Sequence, residues 1–312
     1  MGIVDRAMAR SVSLMPRALV RKVAMNYVAG ERLADAVAEV RRLNDEGCEA
    51  TIDLLGESIR SQEEASRSAD TYLEVLAAIE RERLRANVSV KPTHFGLAID
   101  RASFLGRLRG VVARAREHGN FVRVDMEESP WTQATLDAYR ALRGEGFDNL
   151  GVVVQACLRR TPADLRALAD LGPSLRLCKG VYREPESIAW THPEDIRRAW
   201  RELLRETLPD ARYRVAMATH DDALVEEGED LVRRHRLGRE RYEFQMLLGV
   251  KPELRRELVA RGHTVRIYVP FGKDWYAYSI RRLRENPKFA GYITLDVLKD
   301  PARLLGRDGA SR

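Results

Sequence analysis

Eight short runs rich in Val, Ile, Leu and Tyr recur along the chain roughly every thirty residues, the spacing expected when each strand is followed by a crossover helix. They are Ala50–Leu55, Val88–Lys91, Phe121–Met126, Gly151–Ala156, Leu175–Lys179, Tyr213–Thr219, Tyr242–Leu247 and Thr264–Val269. Between them the apolar residues take helical spacing and carry matching caps. Thr161 and Pro162 supply an N-cap and a first helical position ahead of Leu165, Leu168 and Leu171. Ser61 and Glu64 form a capping-box pair opening a helix toward Leu73, Val75 and Leu76. Pro252 opens another helix that ends at Gly262, and Gly47, Gly119 and Gly238 stand where helix C-caps fall. Such regular alternation predicts a parallel sheet covered by helices, and eight units favour closure into a ring over an open sheet. The open alternative lacks its phosphate loops: Leu54-Leu55-Gly56-Glu57-Ser58 has a single glycine, and no GxxxxGK[ST] occurs. The expected fold is α/β, a (β/α)8 TIM-type barrel with extra N-terminal helices and the last helix over the barrel mouth; 312 residues suit it. Residues 1–46 read as a helical segment packed on the barrel, 47–300 as the barrel and 301–312 as a frayed tail.

A formal net charge of +6 suits an anionic ligand or an anionic membrane surface. The cations are dispersed among 47 acidic residues, with no basic tail or stripe, which argues against nucleic acid as a partner. Cys48, Cys157 and Cys178 have no CxxC spacing and read as small apolar residues in a reducing, cytoplasmic compartment. The six histidines form no HxH or HExxH pair, so no histidine-rich metal site is expected. No apolar run approaches the roughly 20 residues of a membrane span. The N-terminus interleaves Arg6, Arg10, Arg17, Arg21 and Lys22 with Leu14, Met15, Leu19, Val20 and Val23, and lacks the uninterrupted apolar stretch of a signal peptide. Packing against the barrel and contact with an acidic membrane face both suit this amphipathic pattern.

In a barrel of this kind chemistry sits at the C-terminal ends of the strands. Polar residues stand there on nearly every run: Lys91, Asp125, Gln155, Arg176 and Lys179, Thr219 and His220, Gln245, and Tyr268. One alone would mean little, because Lys91 can snorkel to solvent, Arg176 or Lys179 can bridge to Asp125, and Gln155 or Gln245 can satisfy buried backbone. Glu127 and Glu128 suit a solvated loop, and His220 can simply start a helix. The set as a whole suggests a shared ligand. After the eighth run, Asp274 to Asn286 reads as a helix stopped by Pro287, with Tyr278, Arg281, Arg282 and Glu285 on one face. That face is wrong for packing on a sheet. It suits either a carboxylate gripped by guanidinium forks or a solvent-facing ion pair.

Together these motifs resemble the proline dehydrogenase family. The stretches that carry the likeness are Val88–Lys91, Val124–Glu127, Val154–Ala156, Leu175–Tyr182, Ala218–His220, Phe244–Leu247, Arg266–Pro270 and the Tyr278…Arg281-Arg282…Glu285 helix. The resemblance implies noncovalent FAD, oxidation of L-proline to Δ1-pyrroline-5-carboxylate, and electrons passed to a membrane quinone. It implies that Asp125 and Arg176 are catalytic. Arg281, Arg282, Lys91 and Glu285 would serve the substrate carboxylate, with Tyr268, Tyr278 and Leu247 shaping the ring pocket. Met126, Gln155, Arg176, Lys179, Gly180, Val181, Thr219 and His220 would contact the flavin. Arg183 stands where larger bifunctional relatives carry an aromatic residue. The chain is similar to the monofunctional bacterial form, which implies a separate pyrroline-5-carboxylate dehydrogenase downstream and a place in the cytoplasm, at the inner membrane face. Two rival readings of the residues are a Schiff-base lyase or aldolase barrel using Lys91 or Lys179, and a non-enzymatic barrel that binds an anionic partner.

Overall fold

Residue 21 and residues 24–56, 59–276 and 278–280 are described by a computed structural model of the chain. The strands are β1 Glu49–Leu54, β2 Ala86–Val90, β3 Val122–Val124, β4 Leu150–Gln155, β5 Ser174–Cys178, β6 Arg214–Ala218, β7 Tyr242–Leu247 and β8 Val265–Phe271. A helix α1, Leu33–Asp45, precedes β1. Between strands lie α2 Gln62–Arg81, α3 Arg101–Glu117, α4 Ser129–Gly144, α5 Thr161–Leu168, α6 Pro193–Thr207, α7 Asp222–Arg234 and α8 Pro252–Ala260. Every adjacent strand pair is parallel, and β8 pairs with β1 to close the barrel.

The two faces of most strands have opposite chemistry, and this sets up the site. Outward residues such as Ile52, Val88, Val90, Val124, Val152, Leu177, Met217, Phe244 and Ile267 are buried under the helices and make the apolar core. Trp200 of α6 is fully buried there, its indole N–H donating to the Leu177 carbonyl at 3.3 Å. Because side chains alternate along a strand, the next residues face the lumen, and on β1, β2, β3, β5, β7 and β8 these are mostly polar, while β4 and β6 present Gly151, Val153, Ala216 and Ala218. The Arg176 Nη1 of β5 donates to the Ser89 Oγ of β2 at 3.1 Å, a bond between non-neighbouring strands that has to cross the barrel. Lower down, Arg123 of β3 donates to the Ser174 carbonyl of β5 at 2.6 Å, and Arg266 of β8 donates to both Glu243 of β7 (3.1 Å) and the Ala50 carbonyl of β1 (2.9 Å). A hydrogen-bonded column of charges thus fills much of the lumen, where branched aliphatics are usual.

The expected caps hold in part. Ser61 Oγ accepts from the Glu64 N–H at 3.2 Å, while the Glu64 carboxylate reaches Arg60 N–H, one residue before the box position. Gly47, Gly119 and Gly262 have the positive φ of a C-cap residue, 84°, 61° and 83°. Gly238 does not: after α7 the left-handed residue is Arg236, φ 51°, and Gly238 is extended at φ −68°. Thr161 is the first residue of α5 and not its cap, because its hydroxyl donates to the Gln155 carbonyl at 2.6 Å. The third strand is shorter than expected and stops at Val124, since Glu127 turns away to accept from Thr93 N–H and Oγ1 at 2.8 and 2.6 Å. That same bonding buries Glu127, against its reading as a solvated loop residue. Strand β8 runs through Pro270, whose carbonyl is taken by Ala29 N–H at 2.9 Å. Helix α1 packs on β1 and β8; the helical reading of residues 1–20 lies outside the described residues.

Candidate functional site

At the C-terminal ends of the strands opens a cavity of about 820 Å³, a size that takes a cofactor together with a small substrate. It is lined by Lys91, Asp125, Met126, Gln155, Arg176, Lys179, Gly180, Val181, Thr219, His220, Leu247, Tyr268 and Tyr278, among others. These thirteen residues from seven successive strand ends and the helical residues 278–280 meet in one place. Arg281, Arg282 and Glu285 lie outside the described residues, as do Ala277 and the other residues after 280. Trp275, Tyr276 and residues 278–280 are helical, and Trp275 Nε1 donates to Glu31 at 3.0 Å, which fixes where this helix starts.

The floor of the cavity is a buried charge cluster. Lys91 Nζ donates to Asp53 Oδ1 at 2.6 Å and to the Tyr268 hydroxyl at 3.1 Å, and stands 3.7 Å from Asp125 Oδ2. Asp125 Oδ1 accepts from Ser89 Oγ and Arg176 Nη1, both at 2.6 Å, and its Oδ2 accepts from Tyr268 at 3.0 Å. Arg176 Nε donates to Gln245 Oε1, and Gln245 Nε2 donates to Glu243, so the carboxylate below decides which way the amide faces. Two cations and two carboxylates balance here. Burial alone would lower the Lys91 ammonium, but Asp53 and Asp125 outweigh it and hold its pKa above the ordinary lysine value. Burial, and then the negative field of Asp125, pushes the Tyr268 phenol well above its usual range, so it stays a hydroxyl donor.

At the rim, Lys179 Nζ and Arg197 Nε both donate to Asp221 Oδ2 at 2.7 Å, and Lys251 pairs with Asp222 at 2.6 Å. Lys179 therefore bridges to Asp221 and not to Asp125; of Arg176 and Lys179, it is Arg176 that pairs with Asp125. His220 Nε2 accepts from the Leu247 N–H at 2.8 Å, which ties the ends of β6 and β7 together. Gln155 Nε2 donates to the Glu127 carbonyl at 2.8 Å, and Asp221 N–H donates to Thr219 Oγ1 at 3.2 Å. Gly180 has φ 101°, and a Cβ there would fall 2.2 Å from Cys157 Sγ, so only glycine lets the chain turn beside the cavity. Cys157 and Cys178 are held protonated by burial, with pKa values pushed up to about 11 and about 12. Among the described residues no group of three or more His, Cys, Asp or Glu is placed to hold a metal ion.

Sequence reasoning passed over Asp53, Ser89, Arg197 and Asp221. Asp53 and Ser89 carry a readable signal, since each sits at the lumen-facing phase of an apolar run. Asp221 and Arg197 carry none, because only the fold brings α6 beside the end of β6. The aldolase reading fails on chemistry: a Schiff-base lysine needs a readily deprotonated amine. Lys91 is held as an ammonium and Lys179 is ion-paired.

The chain is similar to Proline dehydrogenase 1 of Bacillus subtilis subsp. natto, 37% identical over 276 residues, which cover 88% of this chain and 91% of that protein. It is similar also to Proline dehydrogenase of Deinococcus radiodurans, 34% identical over 292 residues, 92% of this chain and 94% of that one. Its fold matches proline utilization A (PutA) from Bdellovibrio bacteriovorus with a TM-score of 0.80 at 24% identity, over 85% of this chain and 33% of that much longer one. The sequence pattern described as Proline dehydrogenase matches residues 36–293, a stretch that holds all eight strands and the whole cavity floor. The chain therefore belongs to the proline dehydrogenase family.

Proposed function

We propose that the chain oxidises L-proline to Δ1-pyrroline-5-carboxylate with noncovalently held FAD, and that the electrons go on to a membrane quinone. The observation that carries this reading is the convergence of Lys91, Asp125, Arg176 and Tyr268 at the floor of one cavity, each held by a defined bond. The residues present suit a flavin. Gly180 leaves backbone close to the cavity, Gln155, Thr219 and His220 offer neutral contacts, and Lys179 beside Arg197 offers cationic partners for a diphosphate. Met126 and Val181 supply apolar contact. FAD, when bound, supplies the acceptor for the hydride that leaves the substrate.

The chain's own groups do the rest. Arg281 and Arg282 hold the substrate carboxylate bidentately, with Lys91 assisting and Glu285 steadying the guanidinium pair. Tyr268, Tyr278 and Leu247 close around the five-membered ring, which is a positioning task. Arg176 answers negative charge that builds at the floor during the reaction, and Asp125 keeps Arg176 and Tyr268 aimed. Nearby cations also favour loss of the substrate's amine proton, since like charge disfavours the protonated form. The barrel, residues 47–300, is the catalytic unit. The basic segment before residue 30 then rests on the inner face of the membrane, and a separate pyrroline-5-carboxylate dehydrogenase takes the product. No helix among the described residues is long and apolar enough to cross a membrane. Purified protein should be yellow, bleach on anaerobic addition of L-proline, and yield a product that o-aminobenzaldehyde traps. Protein that binds flavin and keeps its colour with proline refutes the reading.

A further inference from the structure

The floor holds one acid that the proposed chemistry does not use. Asp53 of β1 is fully buried, and its Oδ1 accepts from Lys91 Nζ at 2.6 Å. Its other oxygen, Oδ2, is buried with no hydrogen-bond partner among the described residues. The Tyr72 hydroxyl on α2 stands 3.5 Å from Oδ1 and gives its proton to the Ser89 carbonyl at 2.6 Å. A carboxylate kept for architecture would have both oxygens satisfied, because leaving one bare in the interior is costly. Asp53 instead directs its one short contact at Lys91.

That partner needs it. A lysine buried in a protein tends to lose its proton, which would leave an uncharged amine where an anion has to be gripped. Asp125, the other carboxylate near Lys91, lies at 3.7 Å and already accepts from Ser89, Arg176 and Tyr268. Of these two carboxylates, only Asp53 makes a short contact with the ammonium. We infer that Asp53 is a positioning residue for the reaction: it fixes the Lys91 side chain at the cavity floor and keeps that lysine cationic for the substrate's carboxylate. This rests on the function proposed above. The groups that face Asp53 are Lys91 of β2, Asp125 after β3, Tyr268 of β8 and Tyr72 of α2. Burial pushes the Asp53 carboxyl up to about 6, against the pull of Lys91 and with the push of Asp125, so the pair is secure at neutral pH and loosens in acid.

The test is Asp53→Asn, which keeps the shape and removes the charge. Tetrahydro-2-furoate, a ring with a carboxylate and no amine, is titrated calorimetrically into the holoenzyme between about pH 7 and pH 9. Wild type should bind it evenly across that range, whereas D53N should lose about tenfold or more toward the alkaline end, one decade for each unit by which the lysine pKa falls below the pH. An amine-directed reagent followed by peptide mass mapping should label Lys91 faster in D53N than in wild type. Adding D53N to Lys91→Met should cost no further affinity, because the acid acts through the lysine. Parallel pH profiles with equal labelling, or additive losses in the double variant, overturn the inference. Should D53N alone not accumulate as folded protein, the thermal midpoint of the double variant decides. Recovery to that of K91M upholds the pairing, and no recovery overturns it. Failure of proline to reduce the wild-type flavin would instead remove the proposed substrate, and the labelling comparison would still judge the Asp53–Lys91 link.

Discussion

Glu243 lies low in the barrel, buried, with Arg266 Nε at 3.1 Å and the Gln245 amide donating to it. Burial pushes its carboxyl up, yet Arg266, Arg123 and Arg214 outweigh that and bring it from 4.5 down to about 2. A shift of that size is worth about 3 kcal/mol of stability at neutral pH, at roughly 1.4 kcal/mol per unit. Because the native pKa is depressed, the contribution is complete above the ordinary carboxylate range and is lost as pH falls toward the native value. An independent route gives a similar figure: removing one partner of a buried ion pair costs about 3–5 kcal/mol, since the other charge is left uncompensated. Glu243→Gln should therefore lower the stability of the flavin-free protein by about 3 kcal/mol at pH 7, read from the urea midpoint with the slope unchanged. The difference from wild type should shrink steadily below about pH 4.5. Glu243→Gln with Arg266→Met should recover part of the loss, because the stranded guanidinium is gone. A single variant within about 0.5 kcal/mol of wild type at pH 7, a difference typical of unremarkable surface changes, would refute the reasoning.

The site yields further tests. Arg281→Met and Arg282→Met should each raise the KM for proline strongly, and the Lys substitutions should not fully rescue them because the planar fork is lost; unchanged steady-state kinetics in both would remove the carboxylate assignment. Gly180→Ala forces a side chain into a left-handed turn against Cys157, so it should cost more than about 1 kcal/mol and reduce flavin retention after gel filtration; full retention with an unchanged melting temperature would count against the close approach. His94 is buried and its imidazole is lowered to about 4 by burial and then by Lys91. Native protein refuses a proton that the unfolded chain takes up near 6.5, so stability should fall as pH drops through that window, and His94→Gln should flatten the slope in urea titrations.

The ring of strands was legible because outward-facing Val, Ile and Leu repeat at a spacing that only strand–helix units produce. The polar ends were legible for a related reason, since Lys91, Asp125, Gln155 and Tyr268 interrupt or end runs that are otherwise apolar. What stayed hidden was pairing. Arg176 was expected beside Asp125, but the same argument offered Lys179, and nothing in the order of residues says that Asp221 claims it. Asp53 escaped because a single acid in ATIDLL looks like a pleat-facing polar residue until the barrel closes and puts Lys91 above it. Gly238 misled because a glycine near a helix end is a common stop, whereas the chain here makes its left-handed turn at Arg236.

The charged lumen has a consequence for how such a protein changes over time. From Asp125 through Arg176, Gln245 and Glu243 to Arg266, each side chain touches the next, so the reactive end of the molecule is wired mechanically to the opposite end. Random mutagenesis selected for altered turnover should thus yield replacements at the base of the staves, far from any ligand. Aliphatic repacking there would come at the expense of the groups it unseats above.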